Sequence, residues 1–550
     1  MITAEDLRAV ALFAAVPYAE LERLARGTAD LQIPAGEYAV NEGDPRALYV
    51  VLEGTAAVTK MVAGVERTVG ARGPGEVFGE VPVVLGTPVL ASLRATTACR
   101  IVRIDPREIH VLSAAVPEVS EMLGALARDR IDGLQDITAE QPEPLACVLG
   151  ARWDDRCYRL RAFLEHNLVQ FEWVIAGEPS PERFAADLAA VADRLPAVRI
   201  RDGPLLIQPD LRELARRLSL STDPQHVDYD VAIVGGGPAG LAASVYGASE
   251  GLRTVMIERE APGGQAATSS RIENYLGFPT GVSGEELAAR ALQQAKRFGA
   301  EIVVTRQVTC IDPATRSIEL DGGVIVRAKT IILATGVAWR RLTIESCDRL
   351  IGRGVYYGAA RSEAPGTQGQ DVYLIGAGNS AGQAALYFST YARRVALVVR
   401  GDDLAKSMSH YLIQQLEQRE NVDVLLQCEV VALQGDEHLE SIDIRRLNDG
   451  EVFRRETTGL FAFIGADAET DWLPREVLRD DKGYVLTGPD VRGNAAWQLE
   501  RPPYLLETNA PGVFACGDVR HGSIKRVASG VGEGSMAIAF VHQYLNETAR

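Results

Sequence analysis

Cysteine is scarce and scattered in this chain. The seven residues Cys99, Cys147, Cys157, Cys310, Cys347, Cys428 and Cys516 are spread over 550 positions, and no two lie within three residues of each other. That spacing excludes a zinc site of the usual ligand pattern and a secreted disulfide framework, and no metal is expected. An excess of positive charge is also missing, with 57 Lys and Arg against 74 Asp and Glu, a net charge of −17. Nucleic acid and anionic membrane both demand a cationic face, so neither is expected as a partner. No apolar run reaches the roughly 18 residues of a membrane span, and Met1-Ile2-Thr3-Ala4-Glu5-Asp6 has no basic-then-apolar leader pattern. A reducing cytoplasm is the expected compartment.

The length predicts several domains of about 150 residues each rather than one core. Residues 1–138 open with two short amphipathic helices (Leu7, Val10, Leu12 and Phe13, then Leu21 and Leu24). Short alternating strands follow, punctuated by Gly36, Gly43, Gly54, Gly64 and Gly75. That pattern predicts a small antiparallel roll, with helices over 109–135 broken at Pro117. Residues 139–144, including Gln141-Pro142-Glu143-Pro144, are the expected linker. Residues 145–222 alternate strands and helices: strand 145–149, helix 158–167, strand 169–175, helix 181–194, strands 198–200 and 205–207, helix 211–218. The remainder carries two strand–glycine-loop–helix patterns. One is nested inside the other: residues 226–345 and 464–550 for the first unit, 346–463 for the second.

In the first pattern Asp228–Val234 reads as a strand entering Gly235-Gly236-Gly237-Pro238-Ala239-Gly240, and Glu258 closes the next strand. The glycines let backbone amides approach a pyrophosphate at a helix N-terminus, and the carboxylate takes a ribose hydroxyl. The runs Gly263-Gly264-Gln265, Glu273 to Pro279 and Gly512 to Asp518, then Lys525-Arg526-Val527 and Gly532-Glu533-Gly534, resemble bacterial thioredoxin reductases. The resemblance implies FAD. It assigns Gly235, Gly237, Pro238, Ala239, Gly240, Glu258, Gly264, Thr335, Gly336 and Gly517 to that cofactor. Gln265 and Asn274 are expected near its ring system, Asp518 on its ribityl chain, and the backbone amides near Arg526 and Val527 on the flavin. Lys525-Arg526 stands where the family has Arg-Gln.

The second loop, Gly376-Ala377-Gly378-Asn379-Ser380-Ala381, has alanine at the helix-packing position, and its second strand ends in Arg400 rather than an acid. An arginine there accommodates the 2′-phosphate of NADP. The family's second arginine is Gly401 here, and Lys406 is the candidate replacement for its charge. NADPH is the expected donor, with NADH and a vestigial site as alternatives.

Where thioredoxin reductases carry Cys-x-x-Cys, this chain reads Gly358-Ala359-Ala360-Arg361. One thiolate of such a pair attacks while the other resolves, and these four residues do neither. Arg361 and Glu363 could instead line an acceptor pocket. Residues 145–222 resemble a glutaredoxin or thioredoxin fold, with Leu195-Pro196 at that fold's cis-proline. Asp154-Asp155-Arg156-Cys157, after Trp153, stands at its active-site position with only the second cysteine kept. In residues 1–138, Pro34 to Glu37, Glu42 to Asp44, Tyr49 to Gly54 and Gly75 to Glu80 resemble a cyclic nucleotide-binding domain. Val89 stands where that family has its phosphate-binding arginine, and Arg94 is five residues out of place.

The expected fold is therefore multidomain α/β. It comprises an N-terminal β-roll with helices, a degenerate thioredoxin-like α/β domain, and a flavoprotein with two dinucleotide-binding domains. The resemblance implies a homodimer and an FAD-dependent NAD(P)H oxidoreductase whose electron acceptor is open among a protein, a quinone, oxygen and an unusual disulfide. Two other readings stand beside it: a non-catalytic flavin or nucleotide sensor, and a thiol-disulfide reductase working through Cys157.

Overall fold

Period-two burial organises the first compact unit, Met1–Glu143. In the strand Cys99–Ile104, Cys99 and Ile101 face the interior of a roll, while Val102 and Ile104 face a helical layer built on Leu21, Leu24, Ile109 and Leu112. Two four-stranded antiparallel sheets form the roll. One runs Ala29–Ile33, Cys99–Ile104, Leu48–Glu53, Val77–Phe78; the other runs Tyr38–Val40, Ser92–Ala95, Ala56–Val62, Val65–Arg72. At Gly79, φ is +91° and a Cβ would stand 2.1 Å from Ala47 O, so only glycine fits this corner. The helices Pro106–Ala115 and Pro117–Ala139 follow. The second runs through Ala139, the first residue of the expected linker, and 140–143 lie outside the described residues. The computed structural model describes residues 2–548 except 63–64, 140–143, 153, 168, 180, 192–193, 270 and 359–362.

The second compact unit, Pro144–Arg550, begins with a four-stranded sheet ordered Phe171–Ile175, Ala146–Gly150, Ala197–Ile200, Leu205–Ile207. The first two strands are parallel and the last two antiparallel to their neighbours, the thioredoxin-fold arrangement. The Leu195–Pro196 peptide is cis. The helix expected over 181–194 is instead a 3-10 turn, Glu182–Phe184, and a shorter helix, Ala185–Val191.

Two nucleotide-binding sheets follow. The chain leaves the first after the strand Val324–Leu333 and returns to it at Val513–Ala515, which pairs parallel with that strand. Between them lies a five-stranded parallel sheet ordered Val355–Tyr357, Gly459–Ala462, Asp371–Ile375, Arg394–Val399, Val422–Leu426. The thioredoxin-like segment packs against both. On the first, Arg212 donates to Thr305 O and pairs with Asp321, and Val304 N–H donates to Ser221 O at 2.9 Å. On the second, Arg161 pairs with Glu363 at 2.6 Å and the Tyr158 ring lies 5.6 Å from that of Tyr356. Among the described residues, no helix is long and apolar enough to cross a membrane.

Candidate functional site

The strand Asp228–Val234 delivers the chain into Gly235 and the helix Pro238–Ser249, which begins at Gly237 with no side-chain cap, leaving its first amides open. Gly235 has φ +106°, and a Cβ there would stand 2.4 Å from Ala334 O; a Cβ on Gly240 would stand 1.9 Å from Gly235 O. The first contact packs the turn against the end of the strand Val324–Leu333 and the second packs the helix against the turn, each at a distance no side chain permits. Gly236 N–H donates to Glu258 Oε2 at 2.7 Å, and Glu260 N–H donates to the other carboxylate oxygen at 3.0 Å. Burial pushes the Glu258 pKa up, against those two bonds.

Segments far apart in sequence converge on this loop. A Cβ on Gly264 would meet Gly237 Cα at 3.0 Å, and one on Gly517 or Gly534 would meet Ala239 at 2.9 and 2.1 Å. Gln265 Nε2 donates to Val337 O, tying the loop to the residues after Thr335 and Gly336. Two polar groups here lack partners among the described residues. Thr335 Oγ1 is buried with no hydrogen bond, and the part-buried Asp518 carboxyl makes no hydrogen bond or ion pair, its pKa raised by burial. Buried orphans of this kind are what a hydroxyl-rich ligand satisfies, so the residues present fit a flavin dinucleotide. Asn274 is exposed and not tied to this cluster by any hydrogen bond among the described residues. The amide of Arg526 already donates to Ile524 O at 2.7 Å, which leaves Val527, the first residue of the helix Val527–Thr548, as the open amide of that pair.

The second loop repeats the geometry. Gly376 has φ +144° with Phe463 O 2.5 Å from an added Cβ, and Gly378 precedes the helix Asn379–Phe388 without a side-chain cap. Asn379 Oδ1 accepts from Ser409 N–H at 2.7 Å, Ser380 is exposed, and Ala381 is fully buried against the sheet. Arg400 is exposed and without a partner among the described residues. Lys406 is exposed, with its Nζ 2.6 Å from Asp402 in a surface ion pair.

At the vacated dithiol position, Gly358 has φ +82°, and a Cβ there would stand 3.5 Å from Thr268 Oγ1 and 3.7 Å from the Trp339 ring. Thr268 directly follows the helix Gly264–Ala267 of the first nucleotide loop. Ala359, Ala360 and Arg361 lie outside the described residues. Glu363 is not available to an acceptor pocket, because Arg161 pairs with it where both side chains are almost covered. All seven cysteines are free thiols. Cys157 is buried, and burial, reinforced by Asp154, pushes its thiol up to about 12. Asp154 caps the helix Asp155–His166, accepting from Arg156 and Cys157 N–H. Cys516 is fully buried and its pKa is likewise raised. Cys347 Sγ lies 3.5 Å from Tyr357 Oη, with burial again raising its pKa.

Comparison with known proteins resolves the family. The pyridine nucleotide-disulphide oxidoreductase model matches residues 229–534, more than half of the chain. The chain belongs to this family. A thioredoxin reductase of Peptoclostridium acidaminophilum is 32% identical over 331 residues, 58% of this chain and 97% of that relative. One from Listeria monocytogenes is 31% identical over 320 residues, 58% of this chain and 94% of the relative. Among solved structures, T. acidophilum thioredoxin reductase superposes with a TM-score of 0.52 at 28% identity, covering 59% of this chain and all of that one. The Lactococcus lactis enzyme in its FR conformation gives 0.51 at 28%, covering 58% and 99%. Residues 30–114 match the cyclic nucleotide-binding domain. The protein is a thioredoxin reductase-like flavin- and NAD(P)H-dependent oxidoreductase with an N-terminal cyclic nucleotide-binding domain.

Sequence reasoning missed the Arg161–Glu363 pair, whose partners are 202 residues apart, and the approach of Thr268 and Trp339 to Gly358. No local signal marks either.

Proposed function

We propose that the protein passes hydride from NADPH to FAD and delivers the electrons from the flavin to an acceptor without a resident dithiol. The observation that carries this reading is the coexistence of two formed nucleotide loops with Gly358-Ala359-Ala360-Arg361 at the dithiol position.

Each loop has a task that its own groups can perform. Amides of Gly237, Ala239 and Gly240, beside Pro238, bind the pyrophosphate at the helix start, Gly235 makes the turn with its own N–H on Ile257 O, and Glu258 accepts from a ribose hydroxyl. Thr335 Oγ1 and Asp518 take hydroxyls of the ribityl chain, Gly336 and Gly517 admit it closely, and Val527 N–H holds the ring carbonyl end. Gln265 orients the ring-side loop through Val337. FAD, when bound, supplies the hydride-accepting and electron-storing chemistry. Amides following Gly376 and Gly378, with Asn379, Ser380 and Ala381 at the helix start, bind the nicotinamide dinucleotide. Arg400 pairs with its 2′-phosphate, without help from Lys406.

No cysteine takes over the missing thiols. At a pKa of about 12 Cys157 is protonated at neutral pH, and the thiolate is the nucleophile. Small oxidants and the flavin sites of partner proteins remain as acceptors.

The test is anaerobic mixing of the flavin-loaded protein with NADPH and, separately, NADH, followed by addition of oxidised thioredoxin. Bleaching of the visible flavin band, faster with NADPH, and no reduction of thioredoxin are expected. A flavin left oxidised by both donors removes the oxidoreductase reading, and rapid thioredoxin reduction removes the reading of a dithiol-free exit.

A further inference from the structure

One helix of the thioredoxin-like segment, Asp155–His166, grips both nucleotide domains, each with a different face. Leu160, Phe163 and Leu164 share an apolar cluster with Leu292 and Ala295 of the helix Gly284–Arg297, which belongs to the flavin domain. The other face meets the nicotinamide domain. A Cβ on Gly352 would stand 3.1 Å from Asp155 Cα, and Arg161 pairs with Glu363 at 2.6 Å. The Tyr158 ring packs 5.6 Å from that of Tyr356, itself stacked on Phe461 at 5.1 Å. Burial raises the Tyr158 pKa, and Glu363 of one domain and Glu260 of the other both add to the rise.

The covalent links between the two domains are slender. The chain crosses between them twice, and the crossings pair as a two-stranded ribbon, Ala338–Trp339 with Ala466–Asp467. Arg340 fastens the ribbon to Asp467 at 2.7 Å, where both side chains are more than half exposed. A ribbon of two strands is marginal on its own, and an exposed ion pair adds little. Such a connection permits a hinge, and the helix sets its angle.

At that angle Gly358 stands against Thr268 and Trp339, 3.5 and 3.7 Å from where its Cβ would be. Thr268 follows the ring-side helix Gly264–Ala267. Gly358 and Gly376 end strands on one edge of the same parallel sheet. With the flavin assigned as above, on which this inference rests, the side of the flavin that faces the nicotinamide domain is therefore the side the Gly358 turn occupies. Hydride passes between the two rings only at about 3–3.5 Å, so the turn and the nicotinamide claim the same space.

We propose that the helix Asp155–His166 is a clasp that holds the nicotinamide domain in a resting position, with the Gly358 turn over the flavin, and that hydride transfer proceeds when the clasp opens. Tyr158, Arg161 and Glu363 are then positioning residues that touch neither cofactor.

Anaerobic stopped-flow reduction of the flavin-loaded protein by NADPH, together with hydrogen exchange at the bonded amides of Thr268 and Ser269 beneath the turn, tests the clasp. In Glu363→Leu the limiting rate of flavin reduction and the exchange at these amides are each expected to rise at least tenfold, with the half-saturating NADPH concentration unchanged within twofold. The double variant Arg161→Met, Glu363→Leu removes both charges and strands neither, and is expected to bring both readings within about fivefold of wild type. Tyr158→Ala leaves the ion pair in place; it is expected to raise both readings at least threefold and serves where Glu363→Leu does not fold. A smaller rise in the variant used, or a double variant as fast as Glu363→Leu, overturns the clasp. Exchange that rises as expected in a protein whose flavin NADPH leaves oxidised keeps the clasp and removes instead the hydride reading on which its role rests.

Discussion

Replacing Glu363 by leucine should loosen the thioredoxin-like segment from the nicotinamide sheet by an amount the structure sets. The Arg161 and Glu363 side chains are 12% and 13% exposed and 2.6 Å apart. Removing one partner of a fully buried pair costs about 3–5 kcal/mol, because the other charge is stranded. This pair keeps some contact with water, which lowers that cost, while the place of Arg161 4.8 Å over the Trp173 ring is common to wild type and variant. The net loss is about 2 kcal/mol, a local opening roughly 30-fold more frequent. Hydrogen exchange at the amides of the helix Asp155–His166 reads that opening. The double variant Arg161→Met, Glu363→Leu removes both charges and should exchange within about fivefold of wild type, since apolar replacement of a buried pair is often neutral. Exchange in Glu363→Leu within threefold of wild type, or a double variant as open as the single one, would refute the docking role of this pair.

The nucleotide loops and the thiols give further expectations. Gly240→Val places side-chain atoms on Gly235 O, where a Cβ alone would stand at 1.9 Å, so the purified variant should lack the visible flavin band; normal flavin content would count against that loop as its site. Thr335→Val removes a hydroxyl that has no protein partner, so flavin affinity should fall about fivefold, about 1 kcal/mol, while the melting temperature of flavin-free protein does not fall. Arg400→Ala should raise KM for NADPH about tenfold, near 1.4 kcal/mol for one charge-assisted contact, and leave KM for NADH unchanged, whereas Lys406→Ala should change either by less than twofold. The Cys157 thiol, about 12 in the fold against about 8.5 unfolded, contributes stability that is complete below about pH 8.5 and is lost as pH rises through about 12. Iodoacetamide at pH 8 should therefore leave Cys157 unmodified in native protein, as peptide mass analysis would show; labelling at the rate of a free thiol would contradict the burial.

What was legible in the chain is what physics makes local. A strand, three glycines and an apolar helix in succession specify a dinucleotide turn, because the φ angles and close approaches at Gly235 and Gly376 admit nothing else. The alternation in 145–222 gave its strands nearly to the residue, while the helix expected at 181–194 shortened to Ala185–Val191 after a 3-10 turn. Long-range pairings were not legible. Nothing near Glu363 in sequence points to Arg161, and nothing near Glu80 points to Arg130, whose Nε lies 3.7 Å from its carboxylate. The Lys406–Asp402 pair is of the readable kind, since an acid four residues before a lysine faces it across one turn.

Three groups expected from the resemblances are missing: the dithiol, the first thioredoxin-type cysteine and the arginine at residue 89. Each vacated function has a different physical sequel. Val89 packs within the apolar core of the roll, and Asp154, at the place of the first thioredoxin-type cysteine, caps the helix Asp155–His166. Those positions are satisfied within the fold and ask for no ligand. Thr335 and Asp518 are different, because each holds a polar group that the described fold leaves unmatched. Packing can erase a lost function without penalty, but it cannot neutralise a buried charge. On the function proposed above, the unmatched Thr335 and Asp518 are the groups that the flavin's hydroxyls satisfy.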